Sequence, residues 1–507
     1  LLKQPLIESA NNMVSLQSAF FLTKSVQERK ALGQFFTSPV VADYMASMLH
    51  KPERRNIRIL DAGAGTGTLT ASTAVKLLEL GCKVVHAVLY ELDSTVIMHL
   101  NETMKVIESL YQSKKGRFTF EIRNSDFVLE RPDKTESFDV SVINPPYFKY
   151  SVKTSPYAKA VSDLYSGDPN IYASFMAIVA ASLKKGGQMV AITPRSFTNG
   201  LYFKNFRHYL LNTTAVQSIH IFKHRDRIFK NDADKVLQEN IICKFVKDAN
   251  YEAVEVRASD CHSSLASATI QNYPIELIVD PSNDQKLIRI PESLTEAILL
   301  KQAEQLESTF IDSGYFISTG PVVEHRARDF IVPPSNQSNT VALYRPHNVT
   351  PYTALWTGKN KKDVRFELQE KYEKHTLCNK NYVLLKRFSS KDEKRRLVSG
   401  VYLAEYFEGF EFVGFGNKIN YIGVKSGDLT KAEAYGLCAI FNGSFFDRYF
   451  RCISGNTQVN ATEIRVMRFP TRDQVKSIGE KVLNLKAFDA DQNDVIVNRV
   501  LMIKEII

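Results

Sequence analysis

The run Ile59-Leu60-Asp61-Ala62-Gly63-Ala64-Gly65-Thr66-Gly67 leads from an apolar strand through a glycine-rich turn into helical spacing. Alternate glycines let the backbone come close to a ligand at the carboxyl end of a first strand. Alone, such a turn serves many nucleotide cofactors. Two later carboxylates narrow the choice. The apolar run Val84–Tyr90 ends in Glu91-Leu92-Asp93, thirty residues after Asp61, and puts a carboxylate where ribose hydroxyls can be held. A third run ends in Asn124-Ser125-Asp126-Phe127, placed to contact an adenine ring. Asp61, Glu91 and Asp126 thus close consecutive strands at a switch point, where open α/β sheets bind ligands. The competing reading makes these acids helix caps, and for Asp93 the cap is the expected role. No Gly-Lys-Ser/Thr follows the turn, which excludes a Walker A phosphate loop.

The elements that must hold these residues lie between about residues 57 and 247. Short apolar runs at Ile57–Leu60, Val84–Tyr90, Phe118–Ile122, Val140–Ile143, Met189–Ile192, Val216–Phe222 and Ile241–Val246 alternate with helical stretches such as Leu69–Leu80 and Ile171–Leu183. That alternation predicts an α/β fold, a Rossmann-like, largely parallel sheet. The last two runs, separated by the polar segment Lys223–Glu239, are expected as an antiparallel pair at the sheet edge. Residues 1–30 read as an N-terminal helical extension, 31–250 as the catalytic domain and 251–507 as a second, α+β region. With 507 residues, 44% hydrophobic and 24% charged, the chain needs more than one core and is not disordered in composition. Lys and Arg number 65 against 55 Asp and Glu, and the net charge of +10 favours a polyanionic partner. Six scattered cysteines without a CxxC pair argue against a zinc module or a disulfide scaffold, so no metal and a reducing cytosol are expected. No uncharged apolar run reaches the length of a membrane span, and no membrane partner is expected. The first twenty residues lack the basic start of a secretory signal; Leu1 is not an initiator methionine, so a short preceding leader is expected.

Asn144-Pro145-Pro146-Tyr147 follows the run Val140–Ile143, and Gly33-Gln34-Phe35-Phe36-Thr37-Ser38-Pro39 precedes the glycine turn. In this order the motifs resemble those of gamma-class N6-adenine DNA methyltransferases, over about residues 30–250. The resemblance implies S-adenosylmethionine as cofactor, held by Thr37, Asp61, Ala62, Gly63, Gly65, Glu91, Asp126, Phe127 and Asn144. It also implies a prokaryotic, cytoplasmic enzyme. The chemistry accounts for the residue types. The amino nitrogen of adenine is a poor nucleophile, because its lone pair is delocalised into the ring. The Asn144 side-chain oxygen and the Pro145 carbonyl can bind its two hydrogens and draw the nitrogen toward tetrahedral geometry. It then attacks a sulfonium methyl in line, with positioning and charge stabilisation as the main terms and no separate general base. Tyr147 offers a face for the base and for the positive sulfonium. A duplex adenine must be flipped out to reach such a corner. The resemblance places a second aromatic in the loop carrying Arg227-Ile228-Phe229-Lys230, namely Phe229. The alternative makes Phe229 a core residue of the hairpin.

After about Asp248 short β-like pieces mix with long polar connections. Lys386, Arg387, Lys391, Lys394, Arg395 and Arg396 fall within eleven positions, with Tyr344, Tyr352, Trp356, Phe366, Tyr382, Phe388, Tyr402 and Tyr406 among the basic residues of this half. The stretches Ile317–Val323, Leu385–Ser390 with Arg395-Arg396, and Ser454–Thr462 resemble the carboxy-terminal recognition region of the PstI/BsuBI group of restriction–modification methyltransferases. The implied target is a short palindrome in double-stranded DNA. Lys386, Arg387, Lys394, Arg395 and Arg396 are candidate phosphate contacts, and the alternative is a solvated basic face. Asn456 and Gln458 carry amides suited to adenine edges, with a plain turn role equally open; His325 and Arg326 are weaker candidates.

Three rival functions remain. RNA or protein-glutamine methyltransferases share the tetrapeptide, but they do not account for the early Gly33–Pro39 element or the basic second half. Cytosine-N4 enzymes usually begin the tetrapeptide with Ser, so Asn144 argues for adenine. A non-catalytic specificity subunit is opposed by the intact turn and tetrapeptide. A monomer is expected, with any cognate restriction endonuclease acting as a separate protein.

Overall fold

A computed structural model describes residues 37–504 apart from 168–169, 223–238, 281–283, 369–374, 390–392, 408, 455–457 and 486–488. The expected extension over residues 1–30 lies outside these described residues. Contacts divide the chain into two units, Leu1–Ile288 and Arg289–Ile507.

The first unit is built on a nine-stranded sheet of order β3-β2-β1-β4-β5-β7-β6-β8-β9. Its strands are β1 (Asn56–Ala62), β2 (Val84–Tyr90), β3 (Arg117–Arg123), β4 (Phe138–Ile143), β5 (Leu183–Pro194), β6 (Thr214–Phe222), β7 (Asn240–Lys247), β8 (Ala253–Ser259) and β9 (Thr269–Pro274). β1 to β5 run parallel, and every residue of β4 is buried, as apolar runs covered on both faces require. β7 is antiparallel between β5 and β6. The sheet continues past this expected edge pair through β8, parallel to β6, and β9. The boundary expected at residue 250 therefore falls inside the sheet's connectivity, between β7 and β8.

Helices Pro39–Ser47, Thr68–Glu79 and Ile97–Ser113 share one apolar core with the sheet, where Val41, Met45, Leu69 and Leu100 meet Ile59, Val142, Ile192 and Ile242. Burying each such side chain contributes about 1.5–3 kcal/mol. Helix Ile171–Ser182 is buried along its length from Ile171 to Ala180 and packs between β5 and helix Lys204–Thr213. A buried polar bridge ties the far strands to the first helix. His220 accepts or donates at 2.6 Å to the Tyr44 hydroxyl and at 2.9 Å to the Ser259 hydroxyl. Burial pushes the His220 pKa down to about 3, so the ring is neutral.

The second unit holds a six-stranded sheet and a five-stranded sheet. Tyr382, Leu384, Tyr402, Phe415 and Ile419 form a core with Tyr344. Tyr344, Tyr382 and Tyr402 thus pack edge-to-face within the unit and are not a recognition surface. Helices Lys431–Asn442 and Arg472–Val482 pack backbone to backbone: a Cβ on Gly436 would lie 1.9 Å from the Val475 carbonyl oxygen.

Candidate active site

The turn after β1 is held in left-handed conformations, with φ of +100° at Gly63, +54° at Gly65 and +87° at Gly67. The Gly63 and Ala64 N–H groups donate to the Tyr90 carbonyl at 2.9 and 2.8 Å, tying the turn to the end of β2. The left-handed φ favours glycine at Gly67, where a Cβ would also press on the side-chain ends of Leu100 at 2.8 Å and Met104 at 2.9 Å. Glu91 joins two loops: Oε2 accepts from Gly65 N–H and Oε1 from Asp93 N–H, each at 2.7 Å. Its burial raises its pKa above the ordinary carboxylate value. Asp61, 1% exposed, accepts from the Thr70 hydroxyl at 2.5 Å through Oδ2, while Oδ1 is buried without a partner. Burial first, and the nearby Glu91 charge after it, push the Asp61 pKa up to about 7. Two acids expected to hold a ligand therefore converge beside the turn.

The other cofactor candidates are placed differently. Asp126 Oδ1 accepts from the Val128 and Leu129 N–H groups at 2.9 and 3.1 Å, and Oδ2 from the Tyr157 hydroxyl at 2.8 Å. It caps the turn after β3 as the competing reading held, though each oxygen keeps a lone pair. Asp93 caps the turn at Ser94–Val96 through Thr95 N–H, as expected. Phe127 is 3% exposed, its ring packed 5.1 Å from Tyr90 and 5.1 Å from Phe175.

At the end of β4 the tetrapeptide forms a bonded corner. Asn144 Nδ2 donates to the Thr37 hydroxyl at 3.0 Å, and its Oδ1 accepts from the Tyr147 hydroxyl at 2.7 Å. The Tyr147 hydroxyl also lies 3.0 Å from the Ile192 carbonyl at the end of β5. Its single proton can serve only one of the two at a time. Burial raises the Tyr147 pKa well above the ordinary phenol value, so it stays a donor. The sequence reading assigned Tyr147 its ring face alone; the bond to Asn144 was not foreseen. Tyr172 stands edge-on to Tyr147 at 6.2 Å.

Two further contacts went unseen in the sequence. Tyr157, on the short helix Pro156–Ala160, reaches Asp126; Ser155 before Pro156 is the local sign of that helix start. Arg195 and Glu239 are doubly joined, by a 2.8 Å ion pair and a 2.7 Å bond from Arg195 N–H to the Glu239 carbonyl. Phe229 and Asn456 lie outside the described residues.

The basic candidates separate. Arg387 donates to the Asn417 carbonyl at 3.0 Å and to Gln458 Oε1 at 3.3 Å, and a bridge pairs Phe388 with Gln458. Arg387 and Gln458 are thus brought together, with half-buried Lys386 beside them and Phe388 exposed. Lys394 is exposed, and Arg395 lies 3.7 Å from Asp494. Arg396 is a correction. It is fully buried, donates to the Ser454 carbonyl and lies over the Phe450 ring, so it serves the core and not a phosphate. His325 and Arg326 are exposed. Among the described residues no cluster of His, Cys, Asp and Glu could hold a metal ion, and no helix is long and apolar enough to cross a membrane.

The family profile of the Eco57I restriction-modification methylase matches residues 73–229. The type II methyltransferase M.BsuBI of Bacillus subtilis is 34% identical over 469 residues, covering 90% of this chain and 91% of that protein. M.PstI of Providencia stuartii is 33% identical over 497 residues, 96% of each chain. The solved structure of the type IIL restriction-modification enzyme MmeI in complex with DNA matches 98% of this chain and 76% of that one at a TM-score of 0.57 and 11% identity, a likeness of fold. With a glycine turn, two converging acids and a bonded Asn-Pro-Pro-Tyr corner on such a sheet, and with relatives matched nearly end to end, the chain belongs to the type II methyltransferases of restriction–modification systems.

Proposed function

We propose that this chain transfers the methyl group of S-adenosylmethionine to the N6 amino group of an adenine turned out of double-stranded DNA, protecting a specific site. The observation that carries the reading is the Asn144–Tyr147 corner at the end of β4, neighbour in the sheet to the strand that bears the glycine turn. The donor set there suits the cofactor: Asp61 has a buried oxygen without a partner, and Glu91 faces the same turn. When bound, S-adenosylmethionine supplies an electrophilic methyl on a positive sulfur. Asp61 and Glu91 hold its polar groups, and Thr37 fixes the Asn144 amide.

Asn144 Oδ1 and the Pro145 carbonyl accept the two hydrogens of the target amine. In the free protein Tyr147 donates to one lone pair of Asn144 Oδ1, so the arriving amine can bind the other, and the phenol keeps a second acceptor within reach in the Ile192 carbonyl. Tyr147 therefore keeps Asn144 in register before the base arrives and stays fixed afterwards, its ring stacked on the base. Preset acceptors of this kind cost no reorganisation during transfer. Phe229 forms the second ring of the clamp. Lys386, Arg387 and Lys394 contact phosphates, while Gln458 and Asn456 face base edges. The enzyme acts as a monomer, beside a separate endonuclease.

Incubation with radiolabelled S-adenosylmethionine and duplex DNA, followed by nucleoside analysis, tests this reading. Label in N6-methyldeoxyadenosine is expected. Label in N4-methyldeoxycytidine, or only in RNA or protein, would overturn it.

A further inference from the structure

We infer that the side-chain amide of Asn240 is a further hydrogen-bonding group of the base pocket, donating to a ring nitrogen of the flipped adenine. The inference rests on the adenine reading above.

Asn240 is wholly buried, and neither its Nδ2 nor its Oδ1 has a hydrogen-bond partner. Among the described residues it is the one buried amide left open at both atoms. Such a group lowers the stability of the free fold, since both atoms give up water for nothing. Buried polar groups left unpaired call for an explanation outside the resting fold.

Its place in the sheet supplies one. Asn240 opens β7 directly opposite Pro194 of β5, and two residues further on Ile242 faces Ile192, whose carbonyl takes the Tyr147 hydroxyl. Ile192 and Ile242 pack on the same sheet face as Val142 of β4. Side chains two residues apart on a strand share a face. Asn240, two before Ile242, and Asn144, two after Val142, therefore rise on one face at one edge of the sheet, the face that carries Thr37 and helix Pro39–Ser47. The Arg195–Glu239 double contact pins the backbone immediately before Asn240. A position this firmly held, with an amide this poorly served, is prepared for a ligand.

The chemistry of the base completes the set. Asn144 and Pro145 are spent on the two amino hydrogens, which leaves the ring nitrogens of adenine as acceptors without donors. The Asn240 NH2 group carries two donors. Asn240 is wholly buried in the free protein, so contact with the base requires the side chains that cover it to move aside on binding.

The modified site is first mapped by sequencing DNA methylated by the wild-type enzyme. A product other than N6-methyladenine would remove the adenine reading itself, a failure separate from the one tested next. Asn240→Leu, which keeps the branching and heavy-atom count, and Asn240→Ala are then assayed on duplexes with adenine, 1-deazaadenine, 3-deazaadenine or 7-deazaadenine at the mapped position. Both variants are expected to bind S-adenosylmethionine as wild type does and to lose about tenfold to a hundredfold in kcat/KM on adenine. One analogue should cost wild type a similar factor and cost the variants little more, because the same hydrogen bond is already gone. The melting temperature of the Leu variant is expected at or above that of wild type. Wild-type rates in both variants, losses that multiply for all three analogues, or a lower melting temperature in both variants would overturn the inference.

Discussion

Asp61→Asn gives a sharp test of how the cofactor side of the site is built. The carboxyl sits 1% exposed under the glycine turn and keeps its proton to about pH 7, against an ordinary value of 3.8. Because the folded pKa is raised, the unfolded chain gives up its proton first as pH climbs, and the fold loses stability between about pH 4 and pH 7. Each pH step across that interval costs about 1.36 kcal/mol, so the whole interval amounts to about 4 kcal/mol and the part above pH 5 to about 3 kcal/mol. Asparagine keeps an oxygen for the Thr70 hydroxyl but does not titrate. The unfolding free energy of Asp61→Asn minus that of wild type should therefore rise by about 3 kcal/mol from pH 5 to pH 8. The other titrating groups are common to both proteins and cancel, apart from Glu91, whose charge is coupled to that of Asp61. The single tryptophan, Trp356, lies in the second unit, so fluorescence follows the wrong part of the chain. Hydrogen exchange of the β1 and β2 amides, in urea at each pH, reads the right one. A difference that stays constant with pH, or falls, would refute the reasoning. The same variant should bind S-adenosylmethionine more weakly, since the unpartnered Oδ1 is then half of a neutral amide.

Asn144→Ala should lower methyl transfer by about a hundredfold or more while changing DNA affinity little, measured by single turnover and by fluorescence anisotropy; unaltered turnover would end the proposed chemistry. Arg396→Ala should destabilise the second unit by about 3 kcal/mol, because it empties a buried site under Phe450 and leaves the Ser454 carbonyl unpaired, and calorimetry would show it. Arg387→Ala should leave the melting temperature nearly alone and instead reduce the salt slope of DNA binding by about one, read from titrations across salt concentrations. Lys244 is buried, donates to the Met48 carbonyl at 2.7 Å, and burial pushes its pKa down to about 7. Its folded pKa is lowered, so the cost of burying it is present below pH 7 and fades toward pH 10.5. Lys244→Met should accordingly gain stability over wild type at pH 6 and lose that advantage near pH 10, as urea unfolding at both values would reveal.

β4 and β7 were legible because strands buried along their length read as nearly unbroken apolar runs, and edge strand β3 because Phe118, Phe120 and Ile122 alternate with polar residues. β8 was not, because Glu255 and Arg257 stand at alternate positions on its half-buried face and pair with each other at 2.6 Å. β9 carries almost no signal: of its six residues only Tyr273 is buried. At the active corner the residue types announced their chemistry, yet the Tyr147–Asn144 bond and the Arg195–Glu239 clasp depend on partners 3 and 44 positions away whose meeting only the sheet decides. The basic run around Arg396 misled for a physical reason. Charge usually stays in water, but this guanidinium is met by helix Ser444–Ile453, whose Phe450 ring and following Ser454 carbonyl replace the lost hydration. Tyr344, Tyr382 and Tyr402, interleaved with the basic residues of the second half, could not be placed from sequence, because aromatics of a surface and of a β-sheet core look alike along a chain.

The passage of the first sheet through β8 and β9 sets where such a protein can be divided. A polypeptide ending after residue 250 would leave β6 with bare amides along Ser218–Phe222, where Glu255–Ser259 now lies, and would take the Ser259 hydroxyl away from His220. An uncovered ladder of that length invites other chains to dock on it and clump. A swap of the second half between relatives should therefore splice after Ile288, where the contacts themselves part, with β8 and β9 kept on the piece that carries β1 to β7.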